Sequence, residues 1–131
     1  ASVDWVERHR GAVASLRKNV EKFGAADRCR VHAGDAFEFL GRTRETFDLV
    51  FIDPPYDANL QEKAVVAVLP RLSKAGLLYV ETPDEYLSEE KLAALGLLRV
   101  RGSRAGVVHY QLLTRIDSPL APLAKPIKEE A

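Results

Sequence analysis

The sequence holds 131 residues, 47% of them hydrophobic and 29% charged, with 19 basic side chains balanced by 19 acidic ones, which suits one domain and excludes a second full one. The single cysteine, Cys29, excludes an internal disulfide, and no zinc-ligand spacing of Cys and His occurs, so a reducing, cytoplasmic setting is expected. No apolar run approaches a membrane span and no charged-then-apolar leader opens the chain, while zero net charge leaves only local basic clusters (Arg8 to Arg10, Arg17 and Lys18) for nucleic acid.

Ser2 to Glu7 alternates apolar and polar residues and predicts a short strand. Val13, Leu16, Val20 and Phe23 recur at helical spacing, so a helix is expected over Arg10 to Phe23, ended by a left-handed Gly24. Cys29 to Ala33 reads as a second strand closed by Gly34 and Asp35, and Phe37, Phe39 and Leu40 suggest a short helical turn. Phe47 to Ile52 is almost wholly apolar, which predicts a central parallel strand covered on both faces. Pro54 and Pro55 must break it, and a helix from Leu60 to Leu69 ends or kinks at Pro70. Gly76 is read as a turn into a buried strand over Leu77 to Glu81, and Ser88 as a helix cap ahead of Glu89 and Glu90. Leu97 to Arg101 and Val107 to Thr114 form an expected antiparallel hairpin around a loop from Gly102 to Gly106. The Pro-rich residues 117–131 are expected to be a flexible tail, ordered at best by docking, behind a domain over 1–116. Alternating strands and helices that end in a hairpin predict an α/β fold with a mostly parallel sheet.

Asp53-Pro54-Pro55-Tyr56, directly after a buried strand, carries the clearest chemistry. In open α/β sheets ligands lie beyond the carboxyl ends of the strands, where these residues emerge. An exocyclic or amide nitrogen is a poor nucleophile because its lone pair is delocalised. The Asp53 carboxylate and the Pro54 carbonyl can each accept one N–H and turn that lone pair toward an electrophile, while the prolines stiffen both acceptors. Tyr56 can stack on the planar group. The same residues also suit a plain proline turn in which Asp53 caps backbone groups.

With Val6-Glu7, Arg17-Lys18-Asn19, Gly34-Asp35-Ala36, Phe47 to Tyr56 and Gly76 to Glu81 in this order and spacing, the sequence resembles the class I S-adenosylmethionine-dependent methyltransferases. Within them it is similar to the RsmD-like group, which methylates the N2 amine of a guanine in small-subunit ribosomal RNA. The resemblance runs from Val3 to about Arg115 and implies a Rossmann-like sheet. It also implies that Glu7 bonds the ribose hydroxyls of S-adenosyl-L-methionine, that Asp35 accepts the adenine amine, and that the Ala36 N–H meets a ring nitrogen. Asp53, Pro54, Pro55 and Tyr56 then hold the target base. No glycine-rich loop precedes Glu7, so the domain reads as incomplete at its N-terminus, with a central strand absent and unpaired strands that invite self-association. Arg99, Arg101 and Arg104 read as a charged patch for phosphates or a defended strand edge, His9 as solvated, and His32 and His109 as core-edge residues. No metal site is expected. Two alternatives stay open: methylation of another planar nitrogen (adenine N6, cytosine N4 or a protein glutamine), or a non-catalytic RNA-binding module.

Overall fold

The computed structural model describes residues 1–52 and 58–124, which divide into one unit over Ala1–Thr43 and another over Arg44–Ala131. In the first unit, β1 (Val3–Glu7) pairs in parallel with β2 (Cys29–Ala33), in a register that runs from Val3 opposite Cys29 to Glu7 opposite Ala33. The crossover between them is α1 (Arg10–Lys22), and α2 (Ala36–Arg42) follows β2. Val13 of α1, Ala25 and Phe39 of α2 form the buried apolar centre. Phe23 departs from the expected stripe: it is the C-cap of α1, its N–H bonds back to the Asn19 carbonyl, and its ring is exposed where Gly24 (φ 60°) turns the chain away.

Asp4, which the alternation assigned to a polar face, is buried to 7% exposure of its side chain. It accepts from the Arg30 guanidinium (Nε, 2.9 Å) and lies 2.8 Å from His32 Nε2, both on the neighbouring strand. The His32 ring is in turn tilted against Phe39, 4.6 Å between centroids. Cross-strand pairing on one face thus ties β1 to β2 beyond their backbone ladder.

In the second unit the strand order is β3-β4-β6-β5. β3 (Phe47–Ile52) and β4 (Leu72–Pro83) are parallel, whereas β6 (Val108–Arg115) is antiparallel to both β4 and β5 (Leu97–Ala105). The result is a mixed methyltransferase-like α/β sheet with a C-terminal hairpin. α3 (Ala58–Val68) leads into a 3-10 turn, Leu69–Arg71, where Pro70 stands at the start and cannot extend the α-helix. Alternate residues of β4, Leu78 and Val80, are fully buried together with Val65 of α3 and Leu113 of β6. Ser88 caps α4 (Glu89–Ala94) by accepting from the Lys91 N–H at 3.1 Å.

Three expectations are corrected. β3 is an edge strand of its sheet, with β4 as its strand neighbour among the described residues, and Leu49 and Phe51 are 51% and 67% exposed rather than covered on both faces. Gly76 lies inside β4, at the irregularity where the register passes from Phe47 opposite Leu72 to Leu49 opposite Leu77; a Cβ there would stand 2.6 Å from Leu72 Cδ1 and 2.9 Å from the Ser73 carbonyl, so close packing requires glycine. The loop expected over Gly102 to Gly106 is mostly strand: the pairing runs on to Ala105 opposite Val108, and the turn is Gly106 and Val107, with Gly106 at φ 60°. Residues beyond β6 include a 3-10 turn, Ala121–Leu123, whose Leu123 carbonyl accepts from Arg101 of β5.

Burial of Asp4 works against its charged form, but hydrogen bonds from His32 and Arg30 outweigh it and hold the carboxyl below its ordinary value of 3.8. A depressed acid stabilises the fold fully above its unfolded value and loses that contribution as pH falls through the folded one. Asp4→Asn is therefore expected to lower the thermal midpoint near neutral pH, with the gap to the parent closing as the pH is taken down from the carboxyl's ordinary value of 3.8. Melting curves followed by circular dichroism check this, and a gap that stays constant into acid contradicts it.

Candidate functional site

Parallel pairing delivers the ends of β1 and β2 to one place. Glu7 ends β1 opposite Ala33, and the Gly34 N–H donates to the Glu7 carbonyl at 3.0 Å, so Glu7 and the Gly34-Asp35-Ala36 corner are brought together. The Glu7 carboxylate is fixed by its own neighbours: Oε1 accepts from the N–H groups of Arg8 (3.1 Å) and His9 (3.0 Å). Asp35 is the N-cap of α2, and its Oδ1 accepts from Phe37 N–H (2.7 Å) and Glu38 N–H (3.2 Å). In each carboxylate one oxygen is held by backbone amides, and the second oxygen carries no such bond among the described residues. Ala36 is the first residue of α2 and is exposed, in the position where a helix N–H has no intrahelical acceptor. The corner thus offers two carboxylates, each with one oxygen outside these capping bonds, and a helix-start amide, among the described residues.

Asp53, Pro54, Pro55 and Tyr56 lie outside the described residues. Their flanks are described. Ile52, the last residue of β3, stands in register with Val80 of β4, and both strands run the same way. The next residues of β4 are gripped from two sides. Gln61 of α3 is buried and donates Nε2 to the Glu81 carbonyl at 2.5 Å. From β6, Gln111 donates Nε2 to Thr82 Oγ1 at 2.8 Å.

The arginine patch dissolves into separate roles. Arg99 is buried at 4% exposure, where it pairs with Glu89, donates to the Leu87 carbonyl, and lies over the Tyr86 ring at 5.2 Å. Arg101 donates to the Val100 and Leu123 carbonyls, at 3.1 and 3.5 Å. His9 is exposed as expected, yet its Nδ1 also accepts from the Ala12 N–H and caps α1. His109 is buried at the sheet end, edge-on to Tyr86 at 4.6 Å. A separate groove of about 210 Å³ between α3 and α4, lined by Val65, Val66, Leu92 and Leu95 among others, includes none of the candidate residues. Among the described residues no group of three or more His, Cys, Asp or Glu could hold a metal ion.

Residues 1–114 match the family described as "Conserved hypothetical protein 95". The chain belongs to this family. Ribosomal RNA large subunit methyltransferase K/L of Pseudomonas putida is 31% identical over 91 residues, covering 60% of this chain and 12% of that protein. Ribosomal protein uL3 glutamine methyltransferase of Bradyrhizobium diazoefficiens is 39% identical over 56 residues, covering 43% of this chain and 17% of that protein. Among solved structures, "Putative methyltransferase yhhF" of Escherichia coli superposes with a TM-score of 0.75 at 26% identity, covering 88% of this chain and 64% of that one. "Putative methylase HI0767" of Haemophilus influenzae gives 0.74 at 25% identity, covering 87% of this chain and 72% of that one. The chain thus spans a small part of the curated relatives and about two thirds of the Escherichia coli structure.

The buried polar side chains Asp4, Gln61, Thr82, Arg99 and Gln111 escaped the sequence reading. For Thr82 and Gln111 a signal existed: each falls on the buried phase of its strand, Thr82 with Leu78 and Val80, and Gln111 with His109 and Leu113. A polar residue in that phase must be hydrogen-bonded inside.

Proposed function

We propose that this chain carries the cofactor and base-binding part of an S-adenosylmethionine-dependent methyltransferase acting on the N2 amine of a guanine in small-subunit ribosomal RNA. The observation that carries the reading is the paired strand ends of the first unit, where Glu7 and Asp35 stand side by side with oxygens held by backbone amides. Family membership and the methyltransferase names of the relatives support the reaction class. Asp53-Pro54-Pro55-Tyr56 would serve any planar nitrogen, and the resemblance of the rest of the chain to the RsmD-like group is what favours guanine.

The adenosine half of S-adenosylmethionine fits the donors present, with Glu7 for the ribose hydroxyls, Asp35 for the adenine amine and the Ala36 N–H for a ring nitrogen. When bound, this cofactor supplies an electrophilic methyl group. Asp53 and the Pro54 carbonyl each accept an N–H of the target amine and localise its lone pair, Pro55 keeps the acceptors rigid, and Tyr56 stacks on the base. As the N–C bond would form, the methyl–sulfur bond of the cofactor would break to leave the neutral thioether, and the proton released by the amine would pass to the Asp53 carboxylate and on to water. Ribosomal RNA, or an assembling subunit that exposes it, is the partner in this reading, and the setting is cytoplasmic. No helix is long and apolar enough to cross a membrane among the described residues.

Asp53→Ala is expected to cut methyl transfer by about 10²–10⁴-fold while cofactor affinity stays within a few-fold, because Asp53 aligns the amine and does not grip the cofactor. Tritium transfer to small-subunit ribosomal RNA, followed by nucleoside mass spectrometry, reads both rate and product. Label on adenine, cytosine or protein glutamine points to the other planar nitrogens, and normal turnover by the variant removes Asp53 from the mechanism.

Glu7→Ala is expected to do the reverse and weaken cofactor binding by roughly 1.5–3 kcal/mol, the worth of a charge-assisted hydrogen bond. Calorimetric titration with S-adenosylmethionine tests it, and an unchanged dissociation constant leaves Glu7 only the task of capping Arg8 and His9.

The open edge of β3, with Leu49 and Phe51 exposed beside it, is a surface on which chains associate. Light scattering is expected to give a mass above 14.5 kDa that falls toward it in Phe51→Lys. A parent chain that is monomeric throughout contradicts this.

A further inference from the structure

The segment that leaves the carboxyl end of β4, from Thr82 to Ser88, is built by side chains of the β5–β6 hairpin to a degree that an ordinary connection does not need. Gln111 of β6, 1% exposed, is its hub. Its Nε2 donates to Thr82 Oγ1 at 2.8 Å, and the Thr82 hydroxyl donates in turn to the Glu85 carbonyl at 2.6 Å. Its Oε1 accepts from the Leu87 N–H at 2.9 Å and from Arg99 Nη2 at 3.3 Å. Arg99 also holds the Leu87 carbonyl and underlies the Tyr86 ring, while the far side of that ring meets His109 edge-on. The Asp84 N–H donates to the Val107 carbonyl at 2.7 Å, and Asp84 itself stands at φ 66°, a left-handed turn that aspartate tolerates better than most side chains. Both sides of the Gln111 amide are thus spent on one short segment, and every bond runs donor to acceptor with no conflict.

We propose that this segment is a rigid wall of the base-binding site and that Gln111 is the positioning residue that sets it. The inference rests on the reading given under Proposed function. The segment starts one residue beyond Glu81, at the end of the strand that runs parallel to and in register with β3, and ligands of such sheets lie beyond those ends. It turns the carboxylates of Asp84 and Glu85 to the exposed surface, acceptors of the kind that the N–H edge of a guanine requires. A base-reading surface gains from being formed before its ligand arrives, since ordering it on binding would subtract from affinity. Gln111 does not touch the base. It acts through Thr82, Glu85 and Leu87.

Gln111→Leu keeps the volume, leaves the Leu87 N–H without its acceptor and removes the donor to Thr82 Oγ1. Thr82→Val is a milder variant that keeps the shape and removes only the link to Glu85. Gln111→Glu keeps an acceptor for Leu87 and Arg99 but loses the donor to Thr82 Oγ1, so it is a partial rescue. In methyl transfer to a small-subunit ribosomal RNA transcript, Gln111→Leu and Thr82→Val are expected to raise the RNA KM about tenfold, with kcat and the S-adenosylmethionine KM within about threefold of the parent. Gln111→Glu is expected to give an RNA KM between those of the parent and Gln111→Leu. A purely structural role would lower the active fraction, and so kcat, with the RNA KM unchanged. That result overturns the inference and leaves the proposed function standing. Should Gln111→Leu fail to fold, Thr82→Val decides alone. A parent protein that transfers no methyl group to this RNA overturns both.

Discussion

Parallel strand pairing is the constraint on which the rest depends. In a parallel pair both chains leave at the same end, so whatever residues close the strands are gathered there, however far apart they stand in sequence. In the first unit this rule joins Glu7 to Asp35, and the joining bond, Gly34 N–H to the Glu7 carbonyl, is the last rung of the ladder. In the second unit it carries Ile52 and Val80 to a common end, and with them the segment from Thr82. The helices and the hairpin are the scaffolding that this gathering requires: α1 is the crossover that lets β1 and β2 run the same way, and the β5–β6 hairpin supplies the side chains that fix what leaves β4.

At these ends the side chains are restrained before any ligand is present. One oxygen of Glu7 is spent on the amides after β1, and one oxygen of Asp35 on the first turn of α2. Each bond is worth only about 1 kcal/mol of net stability, but together they remove the rotamer freedom that a long acidic side chain would lose on binding. In the proposed reading a cap and a ligand-binding group are the same residue in two roles.

Most of the element boundaries were legible because hydrophobic period and stop signals agreed: β2 and β3 match the sequence reading, and Ser88 and Pro70 act where their chemistry says they must. The turn of the hairpin was misread because glycine at Gly102 was taken for a break, whereas an edge strand such as β5 tolerates it and the two-residue turn fell at Gly106 and Val107. The edge position of β3 could not be read from Phe47 to Ile52, since an apolar run tells that a strand wants burial and not which neighbours it has. Polar partners were the least legible part. Nothing in the sequence joins Asp4 to Arg30 and His32, or Arg99 to Glu89 and Leu87; such pairs exist only once the register is set.

The central claim is that the ends of β1 and β2 hold an adenosine. The most direct measurement is amide NMR of the isotopically labelled chain during titration with S-adenosylhomocysteine, the cofactor without its methyl group. The account predicts that the largest shifts fall on the amides of Arg8 and His9, whose bonds to Glu7 report on its carboxylate, and on Ala36 and Phe37 at the Asp35 corner. Shifts that spare these four amides and gather elsewhere would contradict it.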